Sequence, residues 1–241
     1  LSYNQTDRRW MAVCMKAGKG YLILLTAVFL CAAAVWMSRD AVETVSEKNA
    51  TESAEELAPR VAITFDDGPH KTYTPLLLDG LKERDVKATF FLIGENISGK
   101  EEIVRRMAEE GHLIGNHTYS HVKLSGMAPE AACEEIRKTS DLIQEITGKP
   151  AEYIRPPFGE WDKSLECGLT LFPVLWTVDT LDWTTENVSD VVRRGTEKVK
   201  DGDVILLHDC YASSVKAALE IIDTLKSRGF QFVTADELIL E

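Results

Sequence analysis

Apolar positions fall into two regimes along the chain. Residues 21–37 (YLILLTAVFLCAAAVWM) run without a single charge, whereas from Arg60 onward short apolar runs alternate with segments of helical period. The runs VAITF (61–65), KATFFLI (87–93), HLIGNH (112–117), EYIRP (152–156), PVLWTVD (173–179), DVILLHD (203–209) and FQFVT (230–234) are rich in β-branched and aromatic residues and bounded by Gly, Pro or charge. That pattern predicts strands. Several are apolar along their whole length, so both faces must be covered, as in a parallel sheet. Between them, Thr74 as N-cap and Pro75 at the first helical position open a helix to about residue 84. Further helices are expected near 100–110, 129–147, 188–200 and 213–228, several closing at Gly111, Gly148, Gly202 or Gly229, the residue a left-handed C-cap favours. Strand and helix alternating about seven times predict an α/β fold, either a (β/α) barrel of about seven parallel strands or an open doubly wound sheet. Neither GxGxxG nor a GxxxxGK followed by Ser or Thr occurs, which counts against the nucleotide-binding versions of that architecture.

The first regime sets the expected topology. The 17 residues 21–37 reach the lower limit for spanning hydrocarbon as a helix. They follow Arg8, Arg9, Lys16 and Lys19 and precede Arg39 and Asp40, a bias that puts the amino end in the cytoplasm and the rest outside. Residues 1–20 are therefore read as a short cytoplasmic segment, 21–37 as one transmembrane helix, and 38–59, rich in Glu, Ala, Ser and Thr, as a flexible linker. Ala32-Ala33-Ala34 offers a cleavage pattern, and Leu30 before Cys31 is too bulky for a lipoprotein site. The reading leans to an uncleaved anchor, with a cleaved signal sequence as the alternative.

Composition narrows the function classes. A formal net charge of -12, with the one basic cluster before the apolar run, excludes a phosphate-neutralising face and hence nucleic acid as partner. Hydrophobic content of 44% is that of a globular core. Cys14 and Cys31 belong to the amino-terminal region; Cys133, Cys167 and Cys210 form an odd set without CxxC or zinc-finger spacing and are read as small apolar fillers. Cys210 stands close to His208, which leaves a redox-sensitive role as the alternative.

Candidate chemistry gathers where the apolar runs end. The first run ends in Asp66-Asp67-Gly68-Pro69, the third in Asn116-His117 with His121 beyond, the fourth in Arg155-Pro156-Pro157, the fifth in Asp179 with Asp182-Trp183 following, and the sixth in His208-Asp209. In a barrel, functional groups sit at the carboxyl ends of strands, so these residues are expected at one pole. His117 and His121 are four apart and can converge on one metal if the backbone forms a helical turn. One carboxylate from Asp66 or Asp67 completes a set of two imidazoles and one acid that keeps coordination open for catalysis. Adjacent residues of a strand point to opposite sides, so the other aspartate is free to act as a base.

TFDDGP (64–69), HTYSH (117–121), RPPFG (155–159), DTLDW (179–183) and LLH (206–208) resemble, in order, the five motifs of the polysaccharide deacetylases, carbohydrate esterase family 4, also called the NodB-homology domain. The resemblance covers residues 60–241 and implies a distorted (β/α) barrel and a divalent metal, foremost Zn2+, with Co2+, Ni2+ or Fe2+ also accommodated. Carried over by motif, it implies Asp66 as base, Asp67, His117 and His121 as metal ligands, Arg155 orienting Asp66, and His208 as acid tethered by Asp182 or Asp179. It further implies an oxyanion donor in the backbone N–H near Phe158 and an apolar wall of Trp183 and Leu206 for the acetyl methyl. Phe158 departs from the family's Tyr and loses a hydroxyl at the groove edge. His112 is expected to pack at a strand start, and His70 either packs or lines the groove. The activity implied is removal of N-acetyl groups from an amino-sugar polysaccharide, foremost cell-wall peptidoglycan N-acetylglucosamine. Alternatives are a chitooligosaccharide deacetylase, a muramic-acid deacetylase, an acetylxylan esterase and, from another class, an inactive wall-binding domain.

Overall fold

A computed structural model describes residues 58–161, 165 and 167–239. The segments read as cytoplasmic (1–20) and transmembrane (21–37), and the linker as far as residue 57, lie outside the described residues. Among those described, no helix is long and apolar enough to cross a membrane.

Strand β1 (Arg60–Gly68) is central because its sequence can be buried on both faces: Val61, Ala62, Ile63 and Phe65 are wholly inaccessible. Around it run β2 (Thr89–Leu92), β3 (Leu113–Asn116), β4 (Tyr153–Ile154), β5 (Phe172–Pro173), β6 (Val178–Asp179), β7 (Asp203–His208) and β8 (Gln231–Val233). All pairings are parallel, in the order β5-β4-β3-β2-β1-β7-β6. One edge of β1 is taken by β7 from Val61 to Asp66; the other is shared, β8 pairing Arg60 to Ala62 and β2 pairing Thr64 to Gly68.

The run 173–179, expected as one strand, is two, and the break explains the barrel. Phe172 and Pro173 pair with β4, while Val178 and Asp179 pair with β7 at the opposite end of the strand order. Five residue steps separate Pro173 from Val178, a reach of no more than about 18 Å, so the two ends of the sheet must curl toward each other. The buried Arg155 occupies this seam: its Nε donates to the Val174 carbonyl at 3.1 Å and its Nη2 to the Leu175 carbonyl at 3.2 Å, which turns those acceptors away from any ladder. The result is the distorted barrel.

The helices are α1 (Tyr73–Glu83), α2 (Gly94–Ile97), α3 (Glu101–Glu109), α4 (Pro129–Thr147), α5 (Val188–Arg194), α6 (Ala212–Ser227) and α7 (Ala235–Ile239). The four glycines singled out from sequence all adopt positive φ. Thr74, expected as an N-cap, lies inside α1 instead. Its hydroxyl accepts from the His70 N–H and donates to Asp209, and the first-turn N–H groups of Thr72 and Tyr73 donate to His70 Nδ1 at 3.1 Å. The helix expected to reach residue 200 stops at Arg194, capped by Gly195, where an added Cβ would meet the Ile221 side chain at 2.5 Å.

Cys133 and Cys167 are joined in a disulfide, which corrects their reading as apolar fillers. They stand 34 residues apart in sequence, and only the packing of α4 near Leu165, Cys167 and Leu171 brings their Cα atoms to 5.0 Å. Closing a loop of that length removes unfolded-state entropy, a stabilisation of about 2–4 kcal/mol. Cys210 is a free thiol whose pKa burial pushes up to about 12.

Candidate active site

Register alone begins to assemble the site. Asp66 at the end of β1 is the direct partner of His208 at the end of β7, and Asn116 at the end of β3 pairs with Ile154, the residue before Arg155. The carboxyl ends of four strands thus bring Asp66, Asp67, His117, Arg155 and His208 to one pole.

His117 and His121 converge, though not through the helical turn their spacing suggested. Thr118 (φ 65°) and His121 (φ 54°) are left-handed, a strained conformation for residues with a Cβ, of order 1–3 kcal/mol each. Neighbouring groups hold the loop in that shape. The Asn116 amide donates to Ile136 O (2.7 Å) and Ser140 Oγ (2.9 Å) on α4, and its Oδ1 accepts the Thr118 N–H at 2.7 Å. Glu135, also on α4, accepts the N–H groups of Tyr119 (3.1 Å) and Ser120 (2.8 Å). Asp67 is left-handed too (φ 71°), so the adjacent aspartates diverge.

The convergence makes a candidate metal centre. Asp67 Oδ1 lies 3.4 Å from His117 Nε2 and 3.5 Å from His121 Nε2, and one ligand atom from each of the three residues falls within 4.8 Å of the others. The donor chemistry fits a cation. His117 Nδ1 is 2.6 Å from the Arg155 carbonyl oxygen, which can only accept, so that nitrogen carries the proton and Nε2 presents its lone pair to the cluster. Asp67 Oδ1 is buried without a hydrogen-bond partner, a costly state for a carboxylate oxygen that a bound cation relieves. Burial pushes the Asp67 carboxyl up, but the imidazoles of His117, His208 and His121 outweigh it and hold the group below its ordinary value. Burial and the neighbouring His117 lower His121, favouring the neutral ring a metal requires.

Asp66 is held apart from this cluster for other work. Its Oδ1 receives Arg155 Nη1 at 2.8 Å, both side chains being buried, while Oδ2 stands 3.8 Å from His117 Nε2. The same Arg155 nitrogen donates to Thr64 Oγ1 at 2.7 Å. His208 Nδ1 meets Asp182 Oδ1 at 2.8 Å, and the His208 N–H donates to Asp182 Oδ2 at 2.8 Å, which fixes the ring and leaves Nε2 to the cavity. Of the two aspartates offered as tether, Asp182 is thus the partner; Asp179 accepts the Leu181 N–H at 2.9 Å and lines the cavity. Burial lowers the His208 pKa, but the Asp182 hydrogen bond and the charges of Asp182, Asp66 and Asp67 prevail and raise it to about 9.

That shift has a testable sign. A folded pKa of about 9 against an ordinary 6.5 means that the His208–Asp182 pair stabilises the metal-free fold fully below about pH 6.5, and that the contribution is lost as pH rises toward 9. Asp182→Asn is therefore expected to lower the melting temperature of metal-free protein at pH 6, with the deficit narrowing by pH 9.5. A deficit independent of pH contradicts the pairing.

Asp66, Asp67, His117, His121, Phe158, Trp183, Leu206 and His208 line one cavity of about 430 Å³, with Arg155 and Asp182 behind it. Phe158 is left-handed (φ 62°) and packs edge-on against His121, ring centres 5.0 Å apart. Pro156, Trp176, Asp179 and Tyr211 complete the lining. Trp176 was hidden in a run read simply as strand, and Glu135 in an ordinary helical period. His70 does not line this cavity but serves the first turn of α1. His112 packs as expected: its Nδ1 accepts the Ala88 N–H at 3.1 Å, it meets Phe90 edge-on, and burial pushes it down to about 4.

Comparison with known proteins gives one consistent match. Residues 54–171 match the family model described as polysaccharide deacetylase. The chain is 38% identical over 178 residues to the peptidoglycan-N-acetylmuramic acid deacetylase PdaC of Bacillus subtilis, covering 74% of this chain but 38% of that protein's length. It is 35% identical over 187 residues to a peptidoglycan-N-acetylglucosamine deacetylase of Bacillus cereus, covering 74% of this chain and 87% of the relative. The solved structure of Bacillus subtilis peptidoglycan deacetylase PdaC superposes with a TM-score of 0.73 at 37% identity, covering 76% of this chain and 91% of that one.

Proposed function

We propose, from the premise that the chain belongs to the polysaccharide deacetylase family, that it is a metal-dependent hydrolase removing N-acetyl groups from peptidoglycan N-acetylglucosamine. One observation carries the reading: a carboxylate clamped by a buried arginine, Asp66, stands beside a separate three-ligand cluster, Asp67, His117 and His121, in a cavity that also receives His208. A family domain retained only for wall binding has no need of both.

Asp67, His117 and His121 would hold the cation, and a donor set of two imidazoles and one carboxylate suits Zn2+. When bound, it polarises the acetyl carbonyl and makes the attacking water more acidic. Asp66, oriented by Arg155, takes the proton from that water as its oxygen bonds to the carbonyl carbon. Negative charge then gathers on the acetyl oxygen, where the backbone N–H near Phe158 donates to it. As the carbon–nitrogen bond breaks, His208 gives its Nε2 proton to the leaving nitrogen, which departs as a neutral amine rather than a high-energy anion; acetate is the other product. Trp183 and Leu206 enclose the acetyl methyl.

Location belongs to the same proposal. The catalytic domain, residues 60–241, works outside the cytoplasm, held to the membrane through residues 21–37. Support comes from the charge-free run with its basic flank and from the Cys133–Cys167 disulfide, a bond that persists in oxidising compartments. Acetate release from intact peptidoglycan, chitin oligosaccharides and acetylated xylan, assayed in parallel, tests the substrate. The expected order places peptidoglycan first, with free amines appearing on glucosamine. Amines on muramic acid instead, or release from xylan alone, would replace this substrate.

A further inference from the structure

Strand β1 gains one residue on its neighbour at the position of Asp67. Asp66 lies opposite Phe91 of β2 and Gly68 opposite Leu92, so Asp67 is the extra residue of a β-bulge. Bulges re-aim side chains, and Asp67, left-handed at φ 71°, presents its carboxylate to His117 and His121. The bulge also leaves the Asp67 carbonyl outside the ladder, and a main-chain acceptor in that position needs a donor from elsewhere. Asn96 of α2 supplies it, with Nδ2 at 2.9 Å from the Asp67 carbonyl oxygen.

The same short segment holds the loop of the two histidines. The Ile93 N–H donates to Gly68 O at 3.0 Å, the Gly94 N–H to Thr118 O at 2.9 Å and the Glu95 N–H to Tyr119 O at 2.9 Å, while Leu92 O accepts the His117 N–H at 2.9 Å. Residues 92–96 therefore grip the Asp67 bulge and the 117–121 loop together. The approach is close: a Cβ at Gly94 would meet Thr139 Oγ1 and stand 2.6 Å from the Tyr119 ring. Within this set the Asn96 bond alone comes from a side chain; the others are main-chain bonds that almost any sequence can supply.

We infer that Asn96 is a positioning residue for the metal centre, its carboxamide fixing the bulge so that Asp67 faces His117 and His121 before a cation arrives. The inference rests on the reading of those three residues as ligands. A left-handed residue with a Cβ keeps its shape only while its surroundings hold it. Once the Asn96 bond is removed, the Asp67 carbonyl is free to turn toward water, and the side chain on the same residue turns with it. Partners that orient a metal ligand in this way are worth about ten- to a hundredfold in metal affinity.

The test compares the full chain with Asn96→Leu, Asn96→Ala and, as a control, Asn187→Ala. Leucine fills the space of the amide with no donor, whereas alanine leaves room for a water that can donate in its place. Asn96 is only partly buried, so the fold tolerates both changes. Asn187→Ala removes one asparagine hydrogen bond elsewhere, the N-cap of α5, where Oδ1 accepts the Asp190 N–H at 3.3 Å. Zn2+ affinity is measured by competition with a chromophoric chelator, ligand geometry by the visible absorption of the Co2+-loaded protein, and stability by thermal melting of the metal-free protein. Asn96→Leu is expected to lose about ten- to a hundredfold in Zn2+ affinity and to shift the Co2+ bands, with a smaller loss in Asn96→Ala. Asn187→Ala should lower the melting temperature and leave affinity and bands as in the wild type. Wild-type Zn2+ affinity and Co2+ bands in Asn96→Leu would overturn the inference while leaving the ligand set intact, as would an equal loss of affinity in Asn187→Ala. Failure of the wild-type chain to take up either metal would overturn the ligand set, and the inference with it.

Discussion

Asp66→Asn is expected to lower acetate release by about 10²–10⁴-fold, the range a positioned general base contributes, while metal uptake is unchanged. Asparagine keeps the shape of the side chain and an oxygen that can still accept from Arg155, which now donates to Asp66 Oδ1 at 2.8 Å. What it loses is the basic carboxylate. The metal cluster is not touched, because its acid is the neighbouring Asp67, whose Oδ1 is the oxygen nearest His117 and His121. The two aspartates share a sequence motif but not an environment: one is neutralised by an arginine, the other is surrounded by imidazoles. Asp67→Asn is the complementary change and should fail at the earlier step, with metal affinity lost before turnover can be measured.

Arg155→Met is expected to destabilise the fold by about 3–5 kcal/mol, the cost of leaving one member of a buried ion pair unpaired. Arg155 is wholly inaccessible, and its guanidinium reaches Asp66, Thr64 Oγ1 and the carbonyls of Val174 and Leu175. It stacks over Phe91 at 4.2 Å, an apolar contact that methionine partly preserves, so the loss reports on the polar groups. Its substitution therefore strikes the seam of the barrel and the base together. Equilibrium unfolding in urea measures the effect; a loss under about 1 kcal/mol would mean that water or a rearranged neighbour serves Asp66 equally well.

The amino-acid sequence carried the pole of the site more fully than its internal geometry. Apolar runs closed by Asp66-Asp67, His117, Arg155 and His208 were enough to place those residues together, because side chains at the ends of parallel strands must share one rim. The local shape was not legible in the same way. His117 and His121 meet through left-handed residues at 118 and 121 rather than a helical turn, and what holds that loop, Asn116 and Glu135, bonds to or from a helix many residues away. The 173–179 run is mostly apolar yet changes strand partners midway; no periodicity encodes a change of partner, which depends on where Arg155 places its hydrogen bonds. The Cys133–Cys167 bridge was hidden for a related reason. Its partners are distant in sequence and belong to no short motif, so packing alone pairs them. Of two aspartates offered as tether for His208, spacing could not choose, whereas a 2.8 Å contact does.

The account depends on Asp67, His117 and His121 sharing one cation beside a separate base. Titrating chelator-stripped wild type and Asp66→Asn with Zn2+, following bound metal and acetate release together, tests that division most directly. Both proteins should take up one equivalent per chain, with acetate release returning in the wild type alone. Full release by stripped wild type, or equal release by the two proteins at the same metal occupancy, would contradict it.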